Sequence, residues 1–310
     1  MAHIPVLLNK AIDYLNIHPG GLYIDGTLGG GGHSEAIVSQ LDSTGHLYAF
    51  DKDQDAISRS KERLEPFGEK VTIIHDTFER MTKRLASVGV HSVDGILLDL
   101  GVSSFHFDEA SRGFSYRHDA PLDMRMDLMS PFSAYDLINT YTVNDLTRVF
   151  RMYGEEPFSR PIAKHIAQAR DNAPIETTQQ LVDIIKDALP NKILRKKGHP
   201  AKRVFQAIRI EVNDELGALE SALESGLELL KPAGRLVIIT FHSLEDRMVK
   251  HRFKDAASVD HPKALPTMPT TTPDFKVITK NIVRPSEEEI TDNPRAASAK
   301  LRVIERVAKK

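Results

Sequence analysis

Asp25, Asp51 and Asp99 each close a short apolar run, and the first of them opens DGTLGGGGHS, Asp25 to Ser34, where four glycines stand in succession. Backbone without Cβ atoms lets main-chain groups approach a ligand, and a carboxylate at a neighbouring strand end can accept the hydroxyls of a sugar. Gly29, Gly31 and Gly32 are the glycines expected beside the ligand. Asp51, about twenty residues beyond the glycines, is expected to take both ribose hydroxyls, and Asp53 is less well placed. A glycine-rich turn can also be a tight connection only, and a lone aspartate after a strand a helix cap only. It is the set of strand-end acids around one loop that points to binding.

The ligand class follows from what the loop lacks. GGGGHS has no third glycine in the GxGxxG register and no GKS or GKT, which disfavours both phosphate cradles and, with them, a nicotinamide dinucleotide oxidoreductase. An adenosine cofactor without a pyrophosphate fits, and S-adenosylmethionine is that cofactor. Asp76 and Phe78 stand where an adenine would lie, the ring packing on the base and the acid meeting its edge. A phenylalanine opening a helix is also ordinary core. Asp99, in DLGVSS, falls where the methionine moiety would meet a substrate.

Composition narrows the chemistry. The 310 residues are 41% apolar and 27% charged with a formal charge of -2, as in an ordinary folded protein. No run approaches the roughly 18 apolar residues of a membrane span, and MAHIPVLLNKAIDYL lacks a signal-peptide pattern, so a cytosolic location is expected. The absence of cysteine excludes thiolate metal sites and carbon-5 methylation of pyrimidines, which needs a thiolate nucleophile. Asp123 and Asp127 of PLDMRMD need not form a metal site, and none is expected. Transfer to an exocyclic amine stays open, because it needs in-line geometry and hydrogen bonds that localise a lone pair.

The elements that position these residues are legible as patterns. GLYID, HLYAFD, VTIIHD and VDGILLDLG are strand runs separated by helical spacing, which predicts a parallel sheet covered on both faces. From about Gly113 to Arg203 the rhythm is helical, and sheet signals resume at GRLVIITFHS after a long helix ending in a Pro-Ala-Gly turn. FKVITK and LRVIERV predict an antiparallel pair at the sheet edge. The predicted fold is α/β, the class I methyltransferase (Rossmann-like) type, with a seven-stranded sheet and an inserted helical domain. The expected boundaries are 1–112 with 204–310 for the cofactor domain and 113–203 for the insertion, which would wall the cleft and read a substrate.

Positive charge is concentrated in KILRKKGHPAKR, where Lys192, Arg195, Lys196, Lys197, Lys202 and Arg203 have no acid among them. RNA phosphates could be held there, although each lysine alone reads equally as a solvated side chain. Arg295, Lys300 and Arg302 of NPRAASAKLR form a second basic element. In FHSLEDR, Ser243 is expected to cap a helix with Asp246 completing the box, while His242 is open to a structural or a catalytic role.

These blocks together, HIPVLL, DGTLGGGGHS, DLGVSS, GFSYR with PLDMRMD, YGEE, FQAIRIEVNDEL, FHSLEDR and NPRAASAKLR, resemble the bacterial 16S ribosomal RNA cytosine-N4 methyltransferase family across nearly the whole chain. The resemblance implies S-adenosylmethionine as cofactor, held by Gly31, Gly32, His33, Asp51, Phe78, Asp99 and His106. It implies methylation of N4 of the cytidine numbered 1402 in the decoding centre of 16S RNA, with the small ribosomal subunit or a late assembly form as partner. Asp99 is then expected to orient the amine. Two positions depart from the family pattern: Ala297 stands where arginine is frequent, and Lys10 where an acid is common. A non-enzymatic assembly factor on the same fold would lack cofactor affinity. Monomer and homodimer are both open.

Overall fold

The computed structural model describes residues 5–101, 110–258 and 272–308. Within them the chain runs α1 (Leu8–Leu15), β1 (Leu22–Asp25), α2 (Gly32–Val38), β2 (His46–Asp51), α3 (Gln54–Leu64), β3 (Val71–His75), α4 (Met81–Ala86) and β4 (Val93–Asp99). There follow α5 (Ala134–Thr140), α6 (Val143–Met152), α7 (Ser159–Arg170), α8 (Thr178–Asp187), α9 (Asn191–Leu194), α10 (Lys202–Asn213) and α11 (Glu215–Leu229). The sheet is completed by β5 (Leu230–Thr240), β6 (Phe275–Val277) and β7 (Lys300–Arg306), with α12 (Ser243–Ala256) and α13 (Glu287–Asp292) between them.

The strands form one seven-stranded sheet in the order β3-β2-β1-β4-β5-β7-β6. β1 to β5 are mutually parallel, and β7 runs antiparallel to both β5 and β6. Alternation along each strand feeds two cores, as strand geometry requires. Tyr23, Leu47, Ala49, Leu97, Val237 and Ile239 face one side with residues of α1, α2 and α3. Ile24, Phe50, Ile96, Leu98, Leu236 and Ile238 face the other with Met81, Leu219, Leu223, Val249 and Phe253. Burial on both faces is why these runs read as continuously apolar. The order reverses between β1 and β4, and ligands of open α/β sheets bind at the carboxyl ends beside such a switch.

The Pro-Ala-Gly segment differs from the expected turn. It lies inside β5, where Leu230 pairs with Val93 and pairing resumes at Gly95 with Arg235. The intervening residues bulge, with Ala233 at φ 66°. Pro232 cannot donate to a ladder, so its place in a bulge follows from its chemistry.

Two compact units emerge, Met1–Gly101 with Gly217–Lys310, and Val102–Leu216. These bounds differ from the 113–203 read from the sequence rhythm. At the later boundary the reason is packing: Phe205, Ala207 and Ile208 of α10 belong to the core of the helical unit, with Leu146, Phe150, Ile166 and Ile185. Among the described residues, reciprocal capping boxes start two of that unit's helices, Ser133 with Asp136 and Thr177 with Gln180, and the Thr142 side chain caps a third.

Candidate active site

The glycine loop leaves β1 at the switch point and is stitched to the ends of its neighbours. Gly26 N–H donates to Leu97 O at 2.9 Å, Leu28 N–H to Phe50 O at 2.9 Å, and Gly29 N–H to Asp51 Oδ2 at 2.8 Å. Asp51 Oδ1 also accepts from Asp53 N–H at 2.9 Å, and the two amides fix the plane of this carboxylate at the end of β2. Asp53 caps α3 instead, accepting from Asp55 N–H at 2.9 Å.

The glycines are required for different reasons. Gly29 and Gly31 have φ of 50° and 76°, a region that side chains disfavour. A Cβ on Gly32 would lie 2.2 Å from Pro5 Cγ, so the start of α2 is packed against the N-terminal segment. Among the described residues a Cβ on Gly29 would meet nothing nearer than Thr27 O at 3.8 Å, a looser fit than the tight one at Gly32.

Asp25 and Asp99 have separate roles. Asp25 is fully buried and ties the loop, accepting from Thr27 N–H at 3.0 Å and from the Ser34 hydroxyl at 2.6 Å. Burial pushes its carboxyl up, opposed by those hydrogen bonds. Asp99 N–H donates to the Thr27 hydroxyl at 2.7 Å, which anchors the backbone at the end of β4. Its side chain is 20% exposed, yet Oδ1 is shielded from solvent and accepts no hydrogen bond among the described residues. Burial, with the negative charges of Asp25 and Glu245, holds the Asp99 carboxyl well above the ordinary carboxylate range. His33 is 5% exposed; its Nε2 lies 3.1 Å from Val6 O and its Nδ1 3.6 Å from Asp99 Oδ2.

Phe78 opens a short 3-10 turn after β3 and is partly buried, its Cβ 3.0 Å from where a Gly26 Cβ would stand. Asp76 is committed elsewhere: burial raises its pKa, but hydrogen bonds from Arg84 and Thr77 N–H and the Arg80 charge outweigh this and hold it low. His106 lies outside the described residues.

The cap after β5 is displaced by one residue from the expected Ser243. His242 is the cap of α12: its Nδ1 accepts from Glu245 N–H at 3.4 Å, while Glu245 Oε2 accepts from His242 N–H at 3.2 Å. Asp246 does not complete the box; it binds Arg302 Nε at 2.7 Å and Lys300 Nζ at 3.3 Å. Those two cations therefore share one carboxylate within their own unit. Asp123 is likewise taken by Arg125, at 2.7 Å.

Lys192, Arg195, Lys196, Lys197, Lys202 and Arg203 are all exposed around α9 and the start of α10, and Arg203 donates to Glu155 O at 3.3 Å. Arg295 is exposed in the turn before β7. Lys10 Nζ donates to Arg284 O at 2.7 Å, which gives this departure a local partner. Sequence reading passed over Thr27 and Ser34, whose hydroxyls hold Asp99 and Asp25; the signal was their place inside the glycine motif itself.

A doubly covered sheet in this strand order, with a glycine loop after β1 and acids ending β2 and β4, is the fold of a class I S-adenosylmethionine-dependent methyltransferase. The chain belongs to the MraW methylase family, whose pattern matches residues 1–307. It is 53% identical over 310 residues to the "Ribosomal RNA small subunit methyltransferase H" of Streptococcus dysgalactiae subsp. equisimilis, covering 99% of this chain and 98% of that protein. It is 52% identical to the protein of the same name from Streptococcus pyogenes serotype M4, with the same coverage.

Proposed function

We propose that this methyltransferase modifies RNA of the small ribosomal subunit, and that its acceptor is the exocyclic N4 amine of cytidine 1402 in the decoding centre of 16S RNA. The substrate is the small subunit or a late assembly form of it, met in the cytosol. Among the described residues no helix is long and apolar enough to cross a membrane. The observation that carries the reading is the shielded, unpartnered Oδ1 of Asp99 at the end of β4, an acceptor with nothing to accept.

The residues fit the cofactor. Gly31, Gly32, His33, Asp51, Phe78, Asp99 and His106 would hold it, with room at Gly29 and the orphaned Asp99 oxygen as the local signs of fit. When bound, S-adenosylmethionine supplies a methyl group activated by its sulfonium charge. A cation brought near Asp99 draws its carboxyl back toward the ionised form. Ionised, Asp99 accepts a hydrogen bond from the amino group to be methylated and orients the nitrogen lone pair. No side chain is needed as base, since solvent can take the proton after transfer. The helical unit reads the RNA, with Lys192, Arg195, Lys196, Lys197, Lys202 and Arg203 on phosphates, and Arg295 adds a contact from the sheet unit.

The test is transfer of labelled methyl from S-adenosylmethionine to undermethylated small subunits, with nucleoside analysis of the product. Label in N4-methylcytidine at the decoding centre is expected. Label in another nucleoside would move the acceptor, and absence of both cofactor binding and transfer would leave an assembly factor.

A further inference from the structure

We propose that the stacked ring pair Tyr116–His199 of the helical unit is a platform on which one base of a single-stranded RNA segment stacks while the surrounding cations hold its phosphates. The two rings lie 4.3 Å apart between centroids at 16°. Beneath them the Phe205 ring meets Tyr116 edge-on at 5.7 Å and 89°, and Phe205 is itself buried in the unit's core. The pair is thus a partly exposed outward step from a fixed aromatic base.

His199 is held in orientation. Its Nδ1 accepts from Ala201 N–H at 3.3 Å, which leaves the ring proton on Nε2, and its carbonyl accepts from Lys202 N–H at 3.1 Å. Burial, together with the nearby charges of Lys186 and Arg117, lowers its tendency to protonate, so the ring stacks in its neutral form. Lys186 is shared with Asp183 at 3.0 Å, but Arg117 is exposed, and the run from Lys192 to Arg203 that brackets His199 contains no acid.

Charge complementarity selects the occupant. Sequence-tolerant binding of single strands combines a cationic track for the backbone with aromatic faces for bases, and both are present here within one unit. A purely structural ring pair would not require the acid-free run of cations that brackets His199 in sequence. The inference rests on the RNA reading above and adds to it the position at which a base is gripped.

The experiment uses the full chain and short single-stranded RNA oligomers bearing 2-aminopurine, read by anisotropy and by fluorescence quenching, across a salt series. His199→Ala is expected to weaken binding about five- to a hundredfold and to lose the quenching, with the salt slope unchanged. His199→Phe keeps both signals and shows that the loop still folds. Lys196→Ala with Lys197→Ala is expected to flatten the salt slope by about 1.4 while quenching persists at saturation. Wild-type affinity and quenching in His199→Ala would overturn the proposal, as would absence of oligomer binding by the wild type. Methyl transfer to undermethylated small subunits is measured separately: oligomer binding without transfer to subunits would sink the proposed acceptor and leave this one standing.

Discussion

His33 and Asp99 face each other across the start of the glycine-loop helix, with Nδ1 and Oδ2 3.6 Å apart. The other ring nitrogen of His33 is 3.1 Å from Val6 O, and a carbonyl can only accept, so the proton of the neutral ring belongs on Nε2. Nδ1 then presents a lone pair to a carboxylate. That contact is favourable only when one of the two groups carries a proton, and burial with Asp25 and Glu245 favours a protonated Asp99. Burial and the charges of Asp25 and Glu245 thus work against ionisation of Asp99.

Replacing Asp99 by asparagine should therefore stabilise the protein while removing activity. A carboxyl raised in the folded state contributes its full stability below its unfolded pKa, about 3.9, and loses it as pH rises through the folded value. Asparagine has no such loss. Asp99→Asn should have a higher urea midpoint than wild type above the raised Asp99 pKa, the difference shrinking as pH falls from there toward about 3.9, and methyl transfer should fall by about a hundredfold or more. An unchanged midpoint at every pH would show that Asp99 is ionised without penalty. Asp99→Ala should reduce transfer more than RNA binding, and an equal loss of cofactor affinity would make it a cofactor residue only.

The interior pair Asp246–Arg302 makes the opposite prediction. Arg302 is 8% exposed, so removing its partner leaves a buried cation unpaired, and Asp246→Ala should cost about 3–5 kcal/mol in denaturant unfolding. Burial raises the Asp246 carboxyl, but Arg302 and Lys300 outweigh it and hold it low. Its stabilisation is present above the ordinary carboxylate pKa and is lost as pH falls through the depressed one. Loss of the same stability at pH 3 and pH 7 would contradict the assignment.

What sequence could and could not reveal follows from the range of the interactions. HLYAFD, His46 to Asp51, is a strand over its full predicted length because its pattern is local and both faces are buried. Asp51 and Asp99 were readable because strand ends beside a glycine loop place them together whatever the details. The one-residue shift of the cap from Ser243 to His242 was not, since either residue has an acid three positions on and the choice depends on where β5 ends. Lys300 and Arg302 looked like free cations because Asp246 reaches them only through packing of α12 on β7. The β5 bulge was hidden because Pro-Ala-Gly signals a turn equally well inside a strand and before one.

His242 can be assigned by substitutions that separate capping from chemistry. Asparagine is among the preferred caps, so His242→Asn should keep the start of α12 and retain methyl transfer within a few fold. His242→Ala should lose about 1 kcal/mol of stability with a proportionate loss of soluble activity. A hundredfold drop in His242→Asn, with normal melting and cofactor affinity, would instead give the ring a part in the reaction.

The glycine loop offers the sharpest division between packing and binding. At Gly32 an added Cβ meets Pro5 Cγ at 2.2 Å, so Gly32→Ala should cost about 1–3 kcal/mol whether or not any ligand is present. At Gly29 the added Cβ makes only an ordinary contact with Thr27 O at 3.8 Å among the described residues, and the cost of Gly29→Ala is that of φ 50° alone, about 1–2 kcal/mol. If the loop lies against S-adenosylmethionine, Gly29→Ala should also weaken cofactor binding by about tenfold or more in equilibrium dialysis, because its methyl enters the space beside the loop. Unchanged affinity in Gly29→Ala would place the cofactor away from this glycine and return the loop's open side to a purely conformational role.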